Sequence, residues 1–198
     1  MCRLGGMLDV ELLLEAYRMG VFPMAVNKMG EIGWFSPDPR GVIPLDDRFH
    51  VPHGLRRTLK KHEFQITFDA DFGRVIRECG RLRPEGTWIS RGIVGAYENL
   101  HRIGHAHSVE IWQDKKLVGG LYGVHIGGAF FGESMFHRAT DASKVALVAL
   151  VDHLRRQGFC LLDTQWVTPH LSQFGAFEMP RDDYLAMLAG ATSMRCEF

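Results

Sequence analysis

The chain has few cysteines, no long apolar run and no net charge of either sign. Its four cysteines are scattered, with no pair at metal-ligand spacing, which favours reduced thiols over a disulfide framework: Cys2, Cys79, Cys160 and Cys196. No segment approaches the ~20 apolar residues of a membrane helix, and the N-terminus lacks the basic-then-apolar pattern of a signal peptide. We therefore expect a soluble intracellular protein with one large core, or a core domain with a smaller lobe.

The zero net charge conceals an uneven distribution. Residues 48–91 carry ten Lys or Arg against five Asp or Glu, a balance of +5. Within this region four cations are spaced so that they would form one face of a helix: Arg56, Arg57, Lys60 and Lys61. Such a face is either ordinary solvated surface or a binding surface for a phosphate backbone.

The first half of the chain alternates helix signals with an irregular segment. Asp9 predicts the start of a helix that ends at Gly20, whereas residues 21–47 contain too many prolines for long regular elements. Asp69 is predicted to cap a short helix and Ser90 to cap a longer one.

The second half shows the pattern strand–strand–strand–helix–strand. Glycines at 127 and 128 predict a hairpin, Asp141 or Ser143 is predicted to cap a long helix, and residues 159–165 form a further strand. A strand, a helix of this length and another strand imply a parallel crossover. The carboxyl ends of the two parallel strands would then lie side by side, where α/β folds usually carry their chemistry.

A single carboxylate, Glu133, interrupts the apolar segment 130–136 of the first of these strands. Removing a carboxylate from water costs several kcal/mol unless a charged or hydrogen-bonding group meets it. Glu133 therefore either pairs with an internal Arg or Lys or accepts hydrogen bonds from a ligand.

Asp163 and Gln165 end the second of these strands, and their i, i+2 spacing predicts that they share a face. Their side chains could make hydrogen bonds to a helix cap or to backbone groups at the end of the sheet, or they could face Glu133 across the sheet. In the second case Gln165 could orient a reacting amine or donate to an oxyanion, while Asp163 holds its amide or polarises a nearby proton.

Three other patterns are weaker. Ser134 resembles the nucleophile of G-x-S-x-G, but the closing glycine is absent. His101, His105 and His107 straddle a helix end and a loop, which favours surface or capping histidines over a zinc site. The segment after Phe136 lacks the glycine-rich loop with which a GNAT acetyltransferase holds the pyrophosphate of coenzyme A.

Several separated motifs, in order, are together highly specific. From about Leu8 to Leu188 the chain resembles bacterial leucyl/phenylalanyl-tRNA–protein transferases, and the resemblance rests on these segments: Gly20-Val21-Phe22-Pro23, Trp34-Phe35-Ser36-Pro37-Asp38-Pro39-Arg40, Gly86-Thr87-Trp88-Ile89, Gly104-His105-Ala106-His107-Ser108-Val109-Glu110, Leu117–Gly123, Gly132–Phe136 and Asp163-Thr164-Gln165.

The resemblance implies an α+β fold. Residues 63–198 would form a GNAT-like catalytic domain with a mixed sheet and flanking helices, and residues 1–62 a smaller N-terminal α/β lobe with the aromatic, proline-rich loop and the basic helix. It further implies a cytoplasmic enzyme that transfers Leu or Phe, sometimes Met, from aminoacyl-tRNA to an N-terminal Arg or Lys of a protein and so marks that protein for N-degron-dependent degradation. Neither a metal nor another cofactor is expected, and neither DNA nor a membrane is an expected partner.

The resemblance also implies roles for individual residues. Glu133, Asp163 and Gln165 match the catalytic group. The pocket for the amino acid would be lined by Leu121, Phe130, Met135, Leu150 and Leu162. The terminal adenosine would be held by Trp34, Trp88 and Leu154, and the acceptor stem by Arg56, Arg57, Lys60 and Lys61.

In this family Glu133 would accept hydrogen bonds from the α-ammonium group of the donor amino acid. Two alternatives remain open: a transferase of the same sheet type that uses an acyl-coenzyme A donor, and a non-catalytic tRNA-binding module. Substitutions such as Leu121 and Leu150, at positions that often carry Met and Phe in the family, leave the preference among Leu, Phe and Met open.

Overall fold

A computed structural model describes residues 8–27, 29–81 and 86–198. Cys2, named above, lies outside these ranges. No helix in this part of the chain is long and apolar enough to cross a lipid bilayer.

Two sheets are present within the described ranges. The strands are β1 Phe22–Ala25, β2 Ile32–Phe35, β3 Arg40–Ile43, β4 Gln65–Phe68, β5 Ala106–Gln113, β6 Lys116–Ile126, β7 Ala129–His137, β8 Leu161–Gln165 and β9 Phe177–Met179. Strands β1 and β2 form an antiparallel hairpin, and the other strands form one mixed sheet in the order β4-β5-β6-β7-β8-β3-β9.

Helices cover both faces of the larger sheet. Their bounds are α1 Val10–Arg18, α2 His53–Lys60, α3 Phe72–Arg81, α4 Arg91–Arg102, α5 Ala142–Arg156, α6 Pro169–Ser172 and α7 Arg181–Thr192. One buried apolar cluster contains side chains of α1, α3, α4 and α7, and a second contains side chains of α2 and α5. The predicted α+β class, a mixed sheet with flanking helices, is confirmed.

Local signals located most elements correctly. The Asp9 side chain accepts a hydrogen bond from the Glu11 backbone at 3.2 Å, and the Ser90 side chain accepts one from Ile93 at 3.3 Å, so both predicted caps are confirmed. The strands β5, β6 and β7, the helix α5 and the parallel β7–β8 pair also agree with the prediction.

The other two cap predictions have different outcomes. The one for Asp69 is wrong: helix α3 begins only at Phe72, and the Asp69 carboxylate accepts a hydrogen bond from the Ser108 backbone at 2.8 Å. Asp141 is the N-cap residue of α5, as predicted, but its side chain makes no capping hydrogen bond. Both residues have a positive φ, 56° and 65°, and both carboxylates bond to side chains or backbone of other elements.

Strand β3 belongs to the main sheet although it lies within the segment predicted as an N-terminal lobe. It pairs antiparallel with β8 on one side and with β9 on the other. Residues 40–43 are therefore next to the strand that carries Asp163 and Gln165. A division of the chain near residue 62 stays a prediction.

Candidate active site

A cavity of about 530 Å³ opens where β7 and β8 separate. The parallel ladder between these strands runs from the pair Ala129–Leu161 to the pair Phe131–Asp163. Beyond it, residues of both strands line the cavity together with the first turns of α5 and the segment after β8: Gly132, Glu133, Ser134, Met135, His137, Ser143, Leu147, Leu150, Leu162, Thr164, Gln165, Trp166, Thr168, His170 and Leu171. The β1–β2 hairpin contributes Phe22 and Met24, and β6 contributes Leu121 and Tyr122. Trp88 comes from the segment before α4.

Glu133 lies in a β-bulge of β7. Gly123 pairs with Gly132 and Tyr122 with Ser134, so Glu133 has no partner residue across the ladder. A bulge shifts the side-chain alternation by one residue. This explains why Phe130 and Met135, which are five residues apart, both contact the cluster beneath α5.

The Glu133 carboxylate accepts hydrogen bonds from two buried tyrosines. The Tyr17 hydroxyl of α1 lies 2.7 Å from Oε1 and the Tyr97 hydroxyl of α4 lies 3.4 Å from Oε2. The two hydroxyl groups also contact each other. Among the described residues, no Lys or Arg forms a salt bridge with Glu133, so the structure does not show the internal ion pair that was one of the two alternatives.

Burial of this carboxyl group raises the pKa of Glu133 from its ordinary value of 4.5 to about 8. The hydrogen bond from Tyr17 acts in the opposite direction, and the charge of Asp163 adds to the rise. Burial and the same carboxylate also raise the pKa of Tyr17 and Tyr97, which stay protonated donors. With a pKa of about 8, Glu133 is mostly neutral at pH 7, and an additional cation nearby would favour its ionised form.

Asp163 does not line the cavity. Its carboxylate is fully buried and is held by Arg40, whose Nε and Nη2 lie 2.9 and 2.6 Å from its two oxygens. The Tyr184 hydroxyl donates to Oδ2 at 2.7 Å, and the Gln165 backbone N–H donates to Oδ1 at 2.8 Å. Asp163 and Gln165 were expected to share a face; of the two, only Gln165 lines the cavity. The backbone of Gln165, the last residue of β8, has a φ of 62°.

Gln165 is the strand-end residue that reaches the cavity. It is 7% exposed, and its Nε2 atom is buried without a hydrogen-bond partner among the described residues. A buried donor without a partner is costly unless a ligand satisfies it. Because Gln165 also lines the cavity, a group bound there is a candidate partner for this amide.

Most of the predicted amino-acid pocket is on the cavity wall. Leu121, Met135, Leu150 and Leu162 line it, and Leu147 joins them. Phe130 is not among the lining residues: it is fully buried in the cluster beneath α5, where its ring stacks at 5.4 Å from Phe198. The result is an apolar pocket whose only described acidic lining residue is Glu133.

The three residues predicted to hold an adenosine are not brought together. Trp88 lines the cavity, whereas Trp34 is 40% exposed on β2 and does not. Met24, on the partner strand of the hairpin, is on the wall instead. Leu154 is fully buried one turn beyond Leu150 in α5 and also lies away from the cavity.

The predicted cationic face exists on α2. Arg56, Arg57, Lys60 and the following Lys61 are exposed, while Leu55 on the opposite side is buried. Within the described ranges only Lys61 of these four has a carboxylate within 4.0 Å, that of Glu63 at 3.6 Å. Thr58 of the same helix bonds to Asp141 at 3.1 Å, which joins α2 to the start of α5 beside the cavity.

The three histidines considered as zinc ligands, His101, His105 and His107, lie along the segment from the end of α4 to the start of β5. His107 is buried, contacts Asp69 at 2.8 Å and lies 3.3 Å from His125, so its assignment to the surface is wrong. His101 contacts the carbonyl of Ala106. Within the described ranges no three metal-binding side chains are grouped.

Sequence reasoning missed the residues that support the site from other elements. Tyr17 and Tyr97 approach Glu133, and Arg40 and Tyr184 approach Asp163. The only signal in the sequence was a tyrosine on the apolar face of each of two helices, because a buried tyrosine hydroxyl needs a hydrogen-bond partner. The sequence does not reveal that this partner is Glu133.

Comparison with known proteins identifies the family. The family model described as leucyl/phenylalanyl-tRNA protein transferase matches residues 42–189, and that of the N-terminal domain of the same family matches residues 6–38. The chain belongs to the leucyl/phenylalanyl-tRNA protein transferase family. Among the curated relatives of that name, the protein of Akkermansia muciniphila is 56% identical over 93% of this chain and 96% of its own length. That of Herpetosiphon aurantiacus is 51% identical over 96% of this chain and 98% of its own length.

Among solved structures, the fold is similar to that of FemX. The TM-score is 0.53, with 10% sequence identity, over 85% of this chain and 66% of that one. At this level of identity the similarity concerns the fold alone.

Proposed function

We propose that this member of the family transfers Leu or Phe, with leakage to Met, from aminoacyl-tRNA to the N-terminal Arg or Lys of an acceptor protein. The observation that supports this most is the cavity itself: an apolar pocket with one carboxylate and one unsatisfied amide on its wall. Because charged tRNA is the donor, we expect the enzyme to work in the cytoplasm.

The apolar part of the cavity suits the side chain of the donor amino acid. Four apolar side chains line this part of the cavity: Leu121, Met135, Leu150 and Leu162. A pocket of this kind rejects polar side chains strongly but separates apolar ones of similar size by only about 1–3 kcal/mol. Transfer of Met beside Leu and Phe follows from that limit.

Glu133 is proposed to hold the α-ammonium group of the donor. This cation would lower the pKa of the carboxyl group again, since an opposite charge favours the ionised form. Tyr17 and Tyr97 keep the carboxylate in place through their hydroxyl groups. The site would thus exchange a proton for a substrate cation on binding.

The reaction needs little acid–base help. An aminoacyl ester is an activated acyl donor, and the acceptor's α-amino group, with a pKa of about 8, is partly free near neutral pH. Its nitrogen attacks the ester carbonyl carbon, the bond to the ribose oxygen breaks, and one proton passes in net terms from the amine to that oxygen. Positioning of the two substrates is the main task.

Gln165 is proposed as the residue that assists this step directly. Its unpaired Nε2–H group can donate to the oxyanion of the tetrahedral intermediate, and its amide oxygen can accept from the attacking amine. Asp163 is not suited to accept the proton, because its four hydrogen bonds leave no free acceptor position. We assign Asp163 a supporting role.

The exposed cations of α2, Arg56, Arg57, Lys60 and Lys61, are proposed to contact the acceptor stem of the tRNA. Trp88, beside the cavity mouth, is proposed to contact the terminal adenosine, with Met24 opposite. Trp34 and Leu154 lie elsewhere and are left out of this proposal.

The decisive experiment is aminoacyl transfer with purified protein, labelled Phe-tRNA and a peptide that begins with Arg. We expect labelled peptide, and none with a matched peptide that begins with Ala. Leu-tRNA and Met-tRNA are tested in parallel. Absence of product with all three charged tRNAs would refute the proposal, and label transfer from acetyl-coenzyme A instead would support an acyl-coenzyme A enzyme. Equal binding of charged and uncharged tRNA without product would indicate an RNA-binding module.

A further inference from the structure

Three buried polar side chains meet directly behind the cavity wall. Arg40 comes from β3, Asp163 from β8 and Tyr184 from α7, and the first two are 1% and 0% exposed. The Arg40 guanidinium donates twice to Asp163 and once to the carbonyl of Gly20 at 2.9 Å. Its carbon Cζ also lies 4.5 Å from the centre of the Tyr184 ring.

The carboxylate of Asp163 is saturated by this arrangement. Two bonds come from Arg40, one from the Tyr184 hydroxyl and one from the backbone N–H of Gln165. A carboxylate offers about four lone-pair positions, so its orientation is fully determined and no position is left for a substrate.

The hydrogen bond from the Gln165 backbone N–H to Asp163 connects this cluster to the residue that lines the cavity. Gln165 has a φ of 62°, in the left-handed region that residues with a side chain rarely adopt. Its own N–H group is the one held by Asp163, at 2.8 Å. On the other side Gly41 allows this turn, because a Cβ there would lie 2.6 Å from the Trp166 carbonyl carbon.

We propose that Tyr184 and Arg40 are positioning residues for Gln165, and that they act through the carboxylate of Asp163 and the backbone N–H of Gln165. The inference rests on the proposed function in assigning Gln165 to the reaction. Strained backbone at a functional residue persists only when the surrounding structure holds it. Tyr184 and Arg40 supply that support from two different elements.

The alternative is that the cluster only stabilises the fold. A buried ion pair with full hydrogen bonding is also found where no chemistry occurs. The two roles differ in what they change: a stabilising cluster alters the unfolding transition, whereas a positioning cluster alters turnover in protein that is fully folded.

The test is Tyr184→Phe, which removes one hydrogen bond to Asp163 and keeps the ring against Arg40. We expect kcat of transfer to fall by roughly 10- to 100-fold, since small misplacement of a reacting group has effects of this size, with KM for charged tRNA and for peptide unchanged. Leu188→Ala is the control, because Leu188 is buried one turn later in α7 and bonds to neither Asp163 nor Gln165. We expect it to lower the melting temperature at least as much and to leave kcat within about twofold at a temperature where both variants are folded.

Amide hydrogen exchange gives a readout that does not depend on activity. The Gln165 amide should exchange faster in Tyr184→Phe than in wild type and should be unchanged in Leu188→Ala. If the Tyr184→Phe protein keeps wild-type kcat, or if Leu188→Ala loses as much kcat, the positioning role is refuted. A Gln165 amide that exchanges at the wild-type rate in Tyr184→Phe refutes it as well. Wild-type protein without any transfer would instead refute the proposed function, and the exchange measurement would still decide whether Tyr184 holds Gln165.

Discussion

Replacing Glu133 by Gln should remove a pH-dependent instability from this protein. Glutamine has nearly the same size and can still accept a hydrogen bond from Tyr17, but it does not ionise. In wild type the pKa of Glu133 is raised from 4.5 to about 8, first of all by burial. Between these two pH values the folded protein keeps a proton that the unfolded chain has released.

The sign follows from proton counting. Where the folded state binds more protons than the unfolded state, the free energy of unfolding falls as pH rises. The slope for one group is about 1.4 kcal/mol per pH unit, so the window of roughly 3.5 units has a ceiling of about 5 kcal/mol. Glu133 lies at the wall of an open cavity, and we therefore expect about half of that, roughly 2–3 kcal/mol.

The assay is urea unfolding of wild type and Glu133→Gln between pH 4.5 and 8. We expect wild type and variant to have similar free energies of unfolding at pH 4.5 and the variant to be more stable at pH 8. In thermal unfolding at pH 8 the melting temperature of the variant should exceed that of wild type by about 4–12 °C for a chain of this length. The difference between the two curves removes the contribution of other titrating groups. Glu178→Gln, at an exposed position on β9, is the control and should show no such trend.

Ligand binding gives a second readout of the same carboxyl group. A stable amide analogue of phenylalanyl-adenosine carries the α-ammonium group and should cause release of up to one proton near pH 7. Calorimetry in two buffers of different ionisation enthalpy measures this proton, and Glu133→Gln should abolish it. If the stability difference is independent of pH and no proton is released, Glu133 is already ionised in the folded protein and the reasoning from burial is wrong.

Three further predictions concern other parts of the molecule. Asp163→Asn leaves the Arg40 charge buried without its partner and should lower the free energy of unfolding by about 3–5 kcal/mol, measured by urea unfolding. Arg56→Ala combined with Lys60→Ala should weaken tRNA binding and reduce the slope of log K against log salt by about 1–2, measured by filter binding. Leu150→Ala enlarges the pocket and should lower kcat/KM for Leu-tRNA relative to Phe-tRNA by about tenfold, measured in the transfer assay.

Each of these predictions has a matched control. Adding Arg40→Met to Asp163→Asn should recover part of the stability, and no recovery would show that the unpaired charge was not the cause of the loss.

Lys115→Ala with Lys116→Ala removes two exposed cations at the β5–β6 turn. If that pair weakens tRNA binding as much as the α2 pair does, the cationic face of α2 has no special role. Equal losses for Leu-tRNA and Phe-tRNA would contradict the effect assigned to Leu150.

Short-range signals explain why so many elements were predictable. The caps at Asp9 and Ser90 act over two or three residues, and each is read directly from the chain. The parallel arrangement of β7 and β8 also followed, because a strand, a helix and a strand allow few alternatives. The basic face of α2 depends only on helical spacing.

The structure brings Glu133 and Gln165 to one cavity, whereas Asp163 lies outside its lining. Strict alternation would give Asp163 and Gln165 the same surroundings, but Gln165 has a left-handed backbone with a φ of 62°. The bulge at Glu133 likewise changes which side chains of β7 share a face. A positive φ and a bulge each depend on neighbouring strands, so alternation along a single strand could not reveal either.

By itself, the sequence determined the family and the pattern of strands and helix from β5 to β8, because these follow from motifs and from local spacing. Only the tertiary structure decided the chemical state of those residues. Tyr17 is 116 residues from Glu133 in the chain and Arg40 is 123 residues from Asp163, so their contacts form only when the sheet and helices assemble. Burial among these distant partners raises the pKa of Glu133 to about 8, saturates the acceptor positions of Asp163 and leaves Nε2 of Gln165 without a partner among the described residues.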